Sequence, residues 1–175
     1  MSLTPRRAGF GVRQLYLTSF PKVERFPFWF LQALALTRRS RFLAFYAGDS
    51  LAGISFTIEG RDMVFLLYLA VSPDMRSCGF GTEILSYLKT LYNKPLTLNM
   101  EPLDSAADNA EERQRRFAFY ERNGFSDTGY LLVDPQMTYA VISTAKEFSL
   151  EEYKEALHGL HPGGIGMPDI VKRRF

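Results

Sequence analysis

A chain of 175 residues, 46% of them hydrophobic, suits one domain with a core of its own. Its 21 Lys and Arg against 19 Asp and Glu leave a net charge of +2, which argues against nucleic acid or a membrane surface as partner. The single cysteine excludes an intrachain disulfide and a zinc cage of thiolates, and two histidines, His158 and His161, give little to build a metal site or a Ser/His triad from.

In chain order, Met1 to Gly11 lacks the continuous apolar core of a secretory signal. Phe10 to Leu17 reads as a first strand or a helix start. Pro21 to Leu36 reads as one or two helices with Pro27 near a helix start, and it falls short of the ~20 apolar residues a membrane span needs. A soluble, cytoplasmic protein is the expectation. Arg41 to Ala47 and Leu51 to Ile58 are β-rich runs around the hairpin signal Gly48-Asp49-Ser50, and Gly60 marks a turn into the apolar run Met63 to Val71. These predict three consecutive antiparallel strands. A helix follows from Gly81 to Tyr92, with Ile84, Leu85, Leu88 and Leu91 at helical spacing, and Asn93-Lys94-Pro95 ends it.

Pro95 to Met100 is a short strand, Asp104 to Asn109 a polar loop, and Ala110 to Asn123 an arginine-rich helix. Its exit, Asn123-Gly124-Phe125, fits a left-handed glycine cap followed by an apolar residue. Thr128 to Val133 and Met137 to Thr144 flank Asp134-Pro135-Gln136 as a final hairpin. Ser149-Leu150-Glu151-Glu152 is a capping box with Phe148 and Tyr153 as its staple. That helix stops at Gly159, and His161 to Pro168 is a Gly/Pro-rich tail. The order implies one α+β domain, 1–175, around a mixed, mainly antiparallel sheet, with one parallel pair formed by the βαβ step from 63–71 through 81–92 to 95–100.

The stretch Arg76-Ser77-Cys78-Gly79-Phe80-Gly81 lies between a buried strand and an amphipathic helix, where backbone N–H groups can point at an anion. Ile84 stands where a dinucleotide fingerprint needs its third glycine, and Gly81-Thr82-Glu83 is not the Gly-Lys-Ser/Thr of a P-loop. By itself the glycine pair is equally a tight strand-to-helix turn.

Val71-Ser72-Pro73-Asp74-Met75-Arg76-Ser77-Cys78-Gly79-Phe80-Gly81-Thr82 resembles the acyl-CoA loop of the GNAT superfamily of N-acyltransferases, matching it at Val71, Pro73, Arg76, Gly79 and Gly81. Arg116-Phe117-Ala118-Phe119-Tyr120-Glu121-Arg122-Asn123-Gly124-Phe125 resembles the tyrosine helix of the same family. The two blocks in this order carry the resemblance over roughly Leu51 to Tyr130. It implies an acetyl-CoA-dependent N-acetyltransferase that uses no metal, transferring directly to the amine of a small molecule or peptide, with homodimerisation a family habit. The alternatives are a non-catalytic acyl-CoA-binding sensor and a partner-binding protein in which the loop is a plain turn.

On that resemblance the amides of Ser77, Cys78, Gly79, Phe80, Gly81 and Thr82, with Arg76, bind the pyrophosphate. The backbone of Leu69, Ala70 and Val71, splayed from its parallel neighbour, pairs with the pantetheine arm. Tyr120 protonates the departing thiolate, a phenol being a neutral donor at pH 7; packing beside Phe117 is its alternative role. Glu101, just past strand 95–100, is the candidate base, with a solvated strand end or a helix-cap partner as the alternative, and Glu59 is a weaker one. Ser77 and Cys78 replace residues that are commonly glycine or basic, so backbone amides carry the contact. The family's asparagine ahead of the tyrosine helix has no clear match, because Asn109 lies too far upstream.

Other features read as structural. Arg113, Arg115 and Arg116 form a solvated helix face, and Lys172-Arg173-Arg174 a solvated tail. Phe26, Phe28, Trp29 and Phe30 read as core, although family analogy puts the first helices beside an acceptor groove. Cys78 as an acyl-carrying nucleophile has no histidine nearby in sequence to activate it.

Overall fold

The computed structural model describes residues 3–161 and 167–173. The chain divides into two compact units, Met1–Glu59 with Leu66–Asn93, and Gly60–Phe65 with Lys94–Phe175.

The first unit begins with a strand, β1 (Thr4–Arg7), paired antiparallel to β2 (Ser40–Ala47) from Thr4 opposite Tyr46 to Arg7 opposite Leu43. The polar run Thr-Pro-Arg-Arg carries no strand signal of its own; its extended form comes from β2. The segment expected as a first strand or helix start is instead a 3-10 turn, Phe10–Val12, leading into helix α1 (Arg13–Ser19). Pro27 stands one position before α2 (Phe28–Leu34), as its N-cap. A tight turn at Gly48-Asp49 joins β2 to β3 (Ser50–Glu59), and their register slips between Phe45 and Tyr46. β4 (Val64–Val71) follows, lying beside β3.

The period-2 pattern of β3 sorts its side chains to two faces. Phe56 stacks edge-on against Phe42 of β2, and Phe42 against Phe28 of α2. Gly53 and Thr57 point the other way, toward helix α3 (Phe80–Tyr92): the Thr57 hydroxyl lies 2.6 Å from that of Tyr92, and the Ile84 side chain abuts Gly53. Ile84, Leu85 and Leu88 are fully buried, as one apolar helical stripe requires. The aromatic cluster divides: Phe28 is buried, Phe26 and Phe30 are half-buried, and Trp29 is 69% exposed, so the expectation of core holds for Phe28 and fails for Trp29.

In the second unit the start of β4 pairs in parallel with β5 (Leu96–Met100), Val64 opposite Leu96 and Phe65 opposite Thr97. β7 (Thr138–Ser143) lies antiparallel to β5 and to β6 (Ser126–Val133), so the fold is α+β around a mixed, mainly antiparallel sheet. Helix α4 (Ala110–Arg122) precedes β6, and α5 (Leu150–His158) follows β7. The capping box on α5 is half of what its residues predict. Ser149 Oγ accepts from the Glu152 N–H at 3.3 Å, but the Glu152 carboxylate turns away to Arg61 (2.6 Å) and the Asp62 N–H (3.0 Å). The staple forms, with Phe148 and Tyr153 rings 5.7 Å apart.

The C-terminal expectation needs correction. Asp169–Lys172 is a strand, β8, antiparallel to β6 with Lys172 opposite Tyr130. Arg173 donates its N–H to the Gly129 carbonyl and pairs with Asp127 at 2.9 Å. Lys172 therefore ends an edge strand and Arg173, just past it, is held by an ion pair, whereas Arg174 and residues 162–166 of the Gly/Pro-rich segment lie outside the described residues. No helix among the described residues is long and apolar enough to cross a membrane.

Candidate functional site

In the first unit, Leu69, Ala70 and Val71 end β4. Leu67, Leu69 and Val71 share its half-buried face, while Tyr68 and Ala70 are buried on the other. The chain leaves the strand at Ser72, whose N–H reaches the Ala52 carbonyl (2.8 Å) and whose hydroxyl donates to the Leu51 carbonyl (2.5 Å). Those two bonds anchor the loop to β3, beside the register slip. Pro73 then opens a 3-10 turn, Pro73–Met75, its fixed φ suited to a first helical position.

Arg76, Ser77, Cys78 and Gly79 are all exposed. Ser77 (φ 63°) and Gly79 (φ 83°) are both left-handed, an arrangement that turns the chain sharply before Phe80 begins α3. Only glycine adopts such angles freely, so Ser77 carries about 1 kcal/mol of backbone strain. The first helical bond closes from the Glu83 N–H to the Gly79 carbonyl at 3.1 Å, which leaves the first-turn amides of Phe80 and Gly81 without intrahelical partners. The N-cap residue, Gly79, has no side chain with which to cap this end. Glu83, the acidic residue of that turn, accepts the Leu3 N–H at 2.6 Å.

A Cβ added at Gly79 would meet no heavy atom within 4 Å, so the loop is open on that side to a ligand approaching the backbone. Gly79→Ala is therefore expected to cost about 1 kcal/mol through φ alone, with no packing clash. The KM for an acyl-CoA should rise about tenfold because the amides turn away. A thermal melt with steady-state kinetics checks both, and an unchanged KM would remove the loop from the binding site.

In the second unit, Glu101 follows β5 and is not a solvated strand end. Its side chain is 16% exposed and each oxygen faces a guanidinium: Arg113 lies 3.1 Å from Oε1 and Arg116 lies 3.0 Å from Oε2. The Asn109 amide donates to both oxygens at 3.2 and 3.3 Å. Arg113 also donates to Asn109 Oδ1 (2.7 Å) and to the Pro102 carbonyl (3.0 Å), and Arg116 pairs with Glu112 at 2.7 Å. Of the three arginines expected on a solvated face, only Arg115 is there, 78% exposed. The expectation fails for Arg113 and Arg116 because their shared anionic partner, Glu101, stands on the far side of the loop that precedes α4. Glu59, the weaker base candidate, ends β3 in the first unit.

Tyr120 lies near the C-terminus of α4, where Gly124 (φ 81°) ends the helix. The Gly124 N–H reaches the Glu121 carbonyl (2.9 Å) and the Phe125 N–H the Tyr120 carbonyl (3.1 Å), the paired bonds of a Schellman cap. The accompanying apolar contact is Tyr120 on Phe125, ring centroids 5.4 Å apart, with Phe119 on Tyr120 at 5.1 Å. The cap and the packing fix the ring.

The Tyr120 hydroxyl differs from those of the other buried tyrosines. Tyr16 donates to the Phe26 carbonyl, Tyr68 to the Glu24 carbonyl, Tyr92 pairs with Thr57 and Tyr153 with Asn99. Tyr120 is buried as a residue, at 9% exposure, yet its hydroxyl makes no hydrogen bond among the described residues and, unlike those of Ser19 and Ser55, is not a sealed, partnerless group. Burial pushes its pKa up to about 12, with the Arg116 charge acting in the opposite direction. The result is a protonated donor with no partner of its own. A hydroxyl that no described group engages, on a ring fixed by packing, is free to donate to an acceptor from outside the chain.

The structure thus groups the expected residues in two sets. Leu69 to Val71 and Arg76 to Thr82 form one continuous strand-loop-helix segment of the first unit, and Glu101 and Tyr120 belong to the second. Ser72 and Glu83, which anchor the ends of the loop, went unread in the sequence, although a serine before proline is a turn signal. Arg116 also went unread as a partner of Tyr120, although it is four residues earlier on one helix.

Comparison with known proteins bears on this arrangement. Residues 38–127 match the family model described as an acetyltransferase (GNAT) domain. YjbC of Bacillus subtilis (strain 168), a candidate acetyltransferase, is 40% identical over 67 residues, which span 38% of this chain and 33% of YjbC. Among solved structures, a GNAT-family protein from Bacteroides thetaiotaomicron superposes with a TM-score of 0.69 at 18% identity, covering 95% of this chain and 99% of that one. Arabidopsis thaliana Naa50, in complex with a bisubstrate analogue of CoA and an acetylated peptide, gives 0.60 at 17% identity over 83% and 99% of the two chains.

Proposed function

The chain belongs to the GNAT acetyltransferases, and from that premise we propose that it transfers an acetyl group from acetyl-CoA to a primary amine by direct attack in a ternary complex. In this reading 1–175 acts as one catalytic domain of a soluble cytoplasmic enzyme. The observation that carries catalysis, as against mere acyl-CoA binding, is the Tyr120 hydroxyl, protonated, on a packed ring and without a hydrogen-bond partner among the described residues. A binding module has no use for such a donor.

The open loop suits the cosubstrate's pyrophosphate. Left-handed Ser77 and Gly79 and the start of α3 expose consecutive amides, and a charge-assisted hydrogen bond contributes about 1.5–3 kcal/mol, so a few of them suffice without lysines. The helix N-terminus adds positive potential. The unit bearing the loop holds ten Lys and Arg against five Asp and Glu, an excess that favours the approach of an anion. Leu69 to Val71 would offer the pantetheine arm its strand edge, and Arg76 at the rim would face a phosphate.

Acetyl-CoA supplies an acyl group activated as a thioester. The amine nitrogen forms the new C–N bond as the C–S bond breaks, and the sulfur takes its proton from the Tyr120 hydroxyl. The nitrogen's proton leaves through water and returns to the phenolate. Both oxygens of Glu101 already hold donors, so acting as base would displace one. We assign that carboxylate instead to holding Arg113 and Arg116. The likeness to Naa50 supports a peptide amine among the acceptors, beside small amines.

Calorimetry with acetyl-CoA and a thiol-release assay across peptide N-termini, lysine peptides and small amines test this reading. Binding with amine-dependent thiol release is expected. Binding without turnover on any amine would leave a sensor, and no binding at millimolar acetyl-CoA would remove the proposal.

A further inference from the structure

We infer that Arg116 is an electrostatic positioning residue for Tyr120, placed one helical turn before it and held there by Glu101 and Glu112 so that its charge stabilises the phenolate formed when the proton is given up. This rests on the reading of Tyr120 as the proton donor. The need for such a group follows from the chemistry. Burial pushes the phenol up to about 12, whereas a thiol such as the one leaving has a pKa of about 8.5. Proton transfer is therefore uphill by about three orders of magnitude, and the phenolate would form without a hydrogen bond from the described residues. A cation close to that oxygen lowers the barrier without itself transferring a proton.

The helix supplies the geometry. Residues four apart share a face, and side chains lean toward the N-terminus, which carries the Tyr120 ring back over the turn of Arg116. Arg116 does not wander on this face. Glu101 Oε2 holds one terminal nitrogen at 3.0 Å and Glu112 Oε1 the other at 2.7 Å, and its side chain is 37% exposed. Its neighbour Arg113 is engaged with Asn109, Pro102 and Glu101, so the Glu101 carboxylate is shared by two guanidiniums and offsets only part of the Arg116 charge. Burial works against the Arg116 cation, but the bond to Glu112 and the charges of Glu101 and Glu112 outweigh it, and the net pKa is raised. The Arg116 charge acts on the Tyr120 phenol in the direction that favours the phenolate.

A double-mutant cycle on the full chain tests this, with acetyl-CoA and an accepted amine. Arg116→Gln is expected to lower kcat about tenfold, with the KM for acetyl-CoA within about twofold, and to lower it less than about twofold in a Tyr120→Phe background, where there is no phenolate to stabilise. Arg116→Lys should recover most of the loss. Should Arg116→Gln melt early, Arg116→Lys and millimolar guanidinium added to Arg116→Ala give the same reading, since rescue should occur with Tyr120 present and not in the Tyr120→Phe background. Equal losses in both backgrounds, or rescue in both, would overturn the inference for Arg116 and leave Tyr120 standing. An unchanged kcat in Tyr120→Phe alone would overturn both.

Discussion

Tyr120→Phe is expected to lower kcat by about 100-fold or more, with the KM for acetyl-CoA within about twofold and the melting temperature unchanged. The separation follows from what each part of the side chain does. The ring packs on Phe119 and Phe125 and completes the α4 cap, and phenylalanine keeps all of that. The hydroxyl makes no hydrogen bond among the described residues, so its removal costs the fold nothing in lost bonds. Tyr153→Phe is the internal control, because its hydroxyl donates to Asn99 at 2.6 Å. Losing that bond should cost about 1 kcal/mol. With a pKa near 12, Tyr120 stays protonated at ordinary assay pH, so no decline in rate at moderately alkaline pH should trace to it. A Tyr120→Phe enzyme as fast as the parent, or one that melts early, would make the residue structural.

Gly53→Ala is expected to destabilise the protein by about 2 kcal/mol, lowering Tm by about 4–8 °C. An added Cβ would stand 2.6 Å from the Ala70 carbonyl oxygen and 2.8 Å from Ile84 Cδ1. The isoleucine tip can swing aside. The carbonyl cannot, because it belongs to β4, and moving it shifts the strand end that leads into the loop. The KM for acetyl-CoA should therefore rise with the loss of stability if Leu69 to Val71 hold the pantetheine arm. Gly11→Ala, where a Cβ meets nothing within 4 Å, should be neutral within about 0.5 kcal/mol. A Gly53→Ala protein with the parent's Tm would show that β3 and β4 separate more easily than their spacing implies.

Much of this was readable before any coordinates. Gly124 at φ 81° and the Phe148–Tyr153 staple lie where Asn123-Gly124-Phe125 and Ser149 to Glu152 put them, because caps depend on residues a few positions apart. Helix α3 begins at Phe80 and ends at Tyr92, within a residue of the expected bounds, since a glycine and an apolar stripe mark it locally. β1 and β8 were not readable. Thr4–Arg7 is a polar run and Asp169–Lys172 holds only two apolar residues, Ile170 and Val171, so the extended form of each is set by a partner strand that is distant in sequence.

The amino-acid sequence by itself determined the family and the place of the strand-to-helix loop, because a glycine-bearing turn and a glycine-capped tyrosine helix are written in adjacent residues. Only the tertiary structure decided what the charged and polar groups do. Glu101 meets Arg113 and Arg116 across a loop, and whether a buried tyrosine hydroxyl finds a partner depends on which strand or carbonyl passes near it. Hydrogen bonds and ion pairs are short-ranged in space and indifferent to distance along the chain, so Tyr120's unpartnered hydroxyl becomes visible only once the chain is folded.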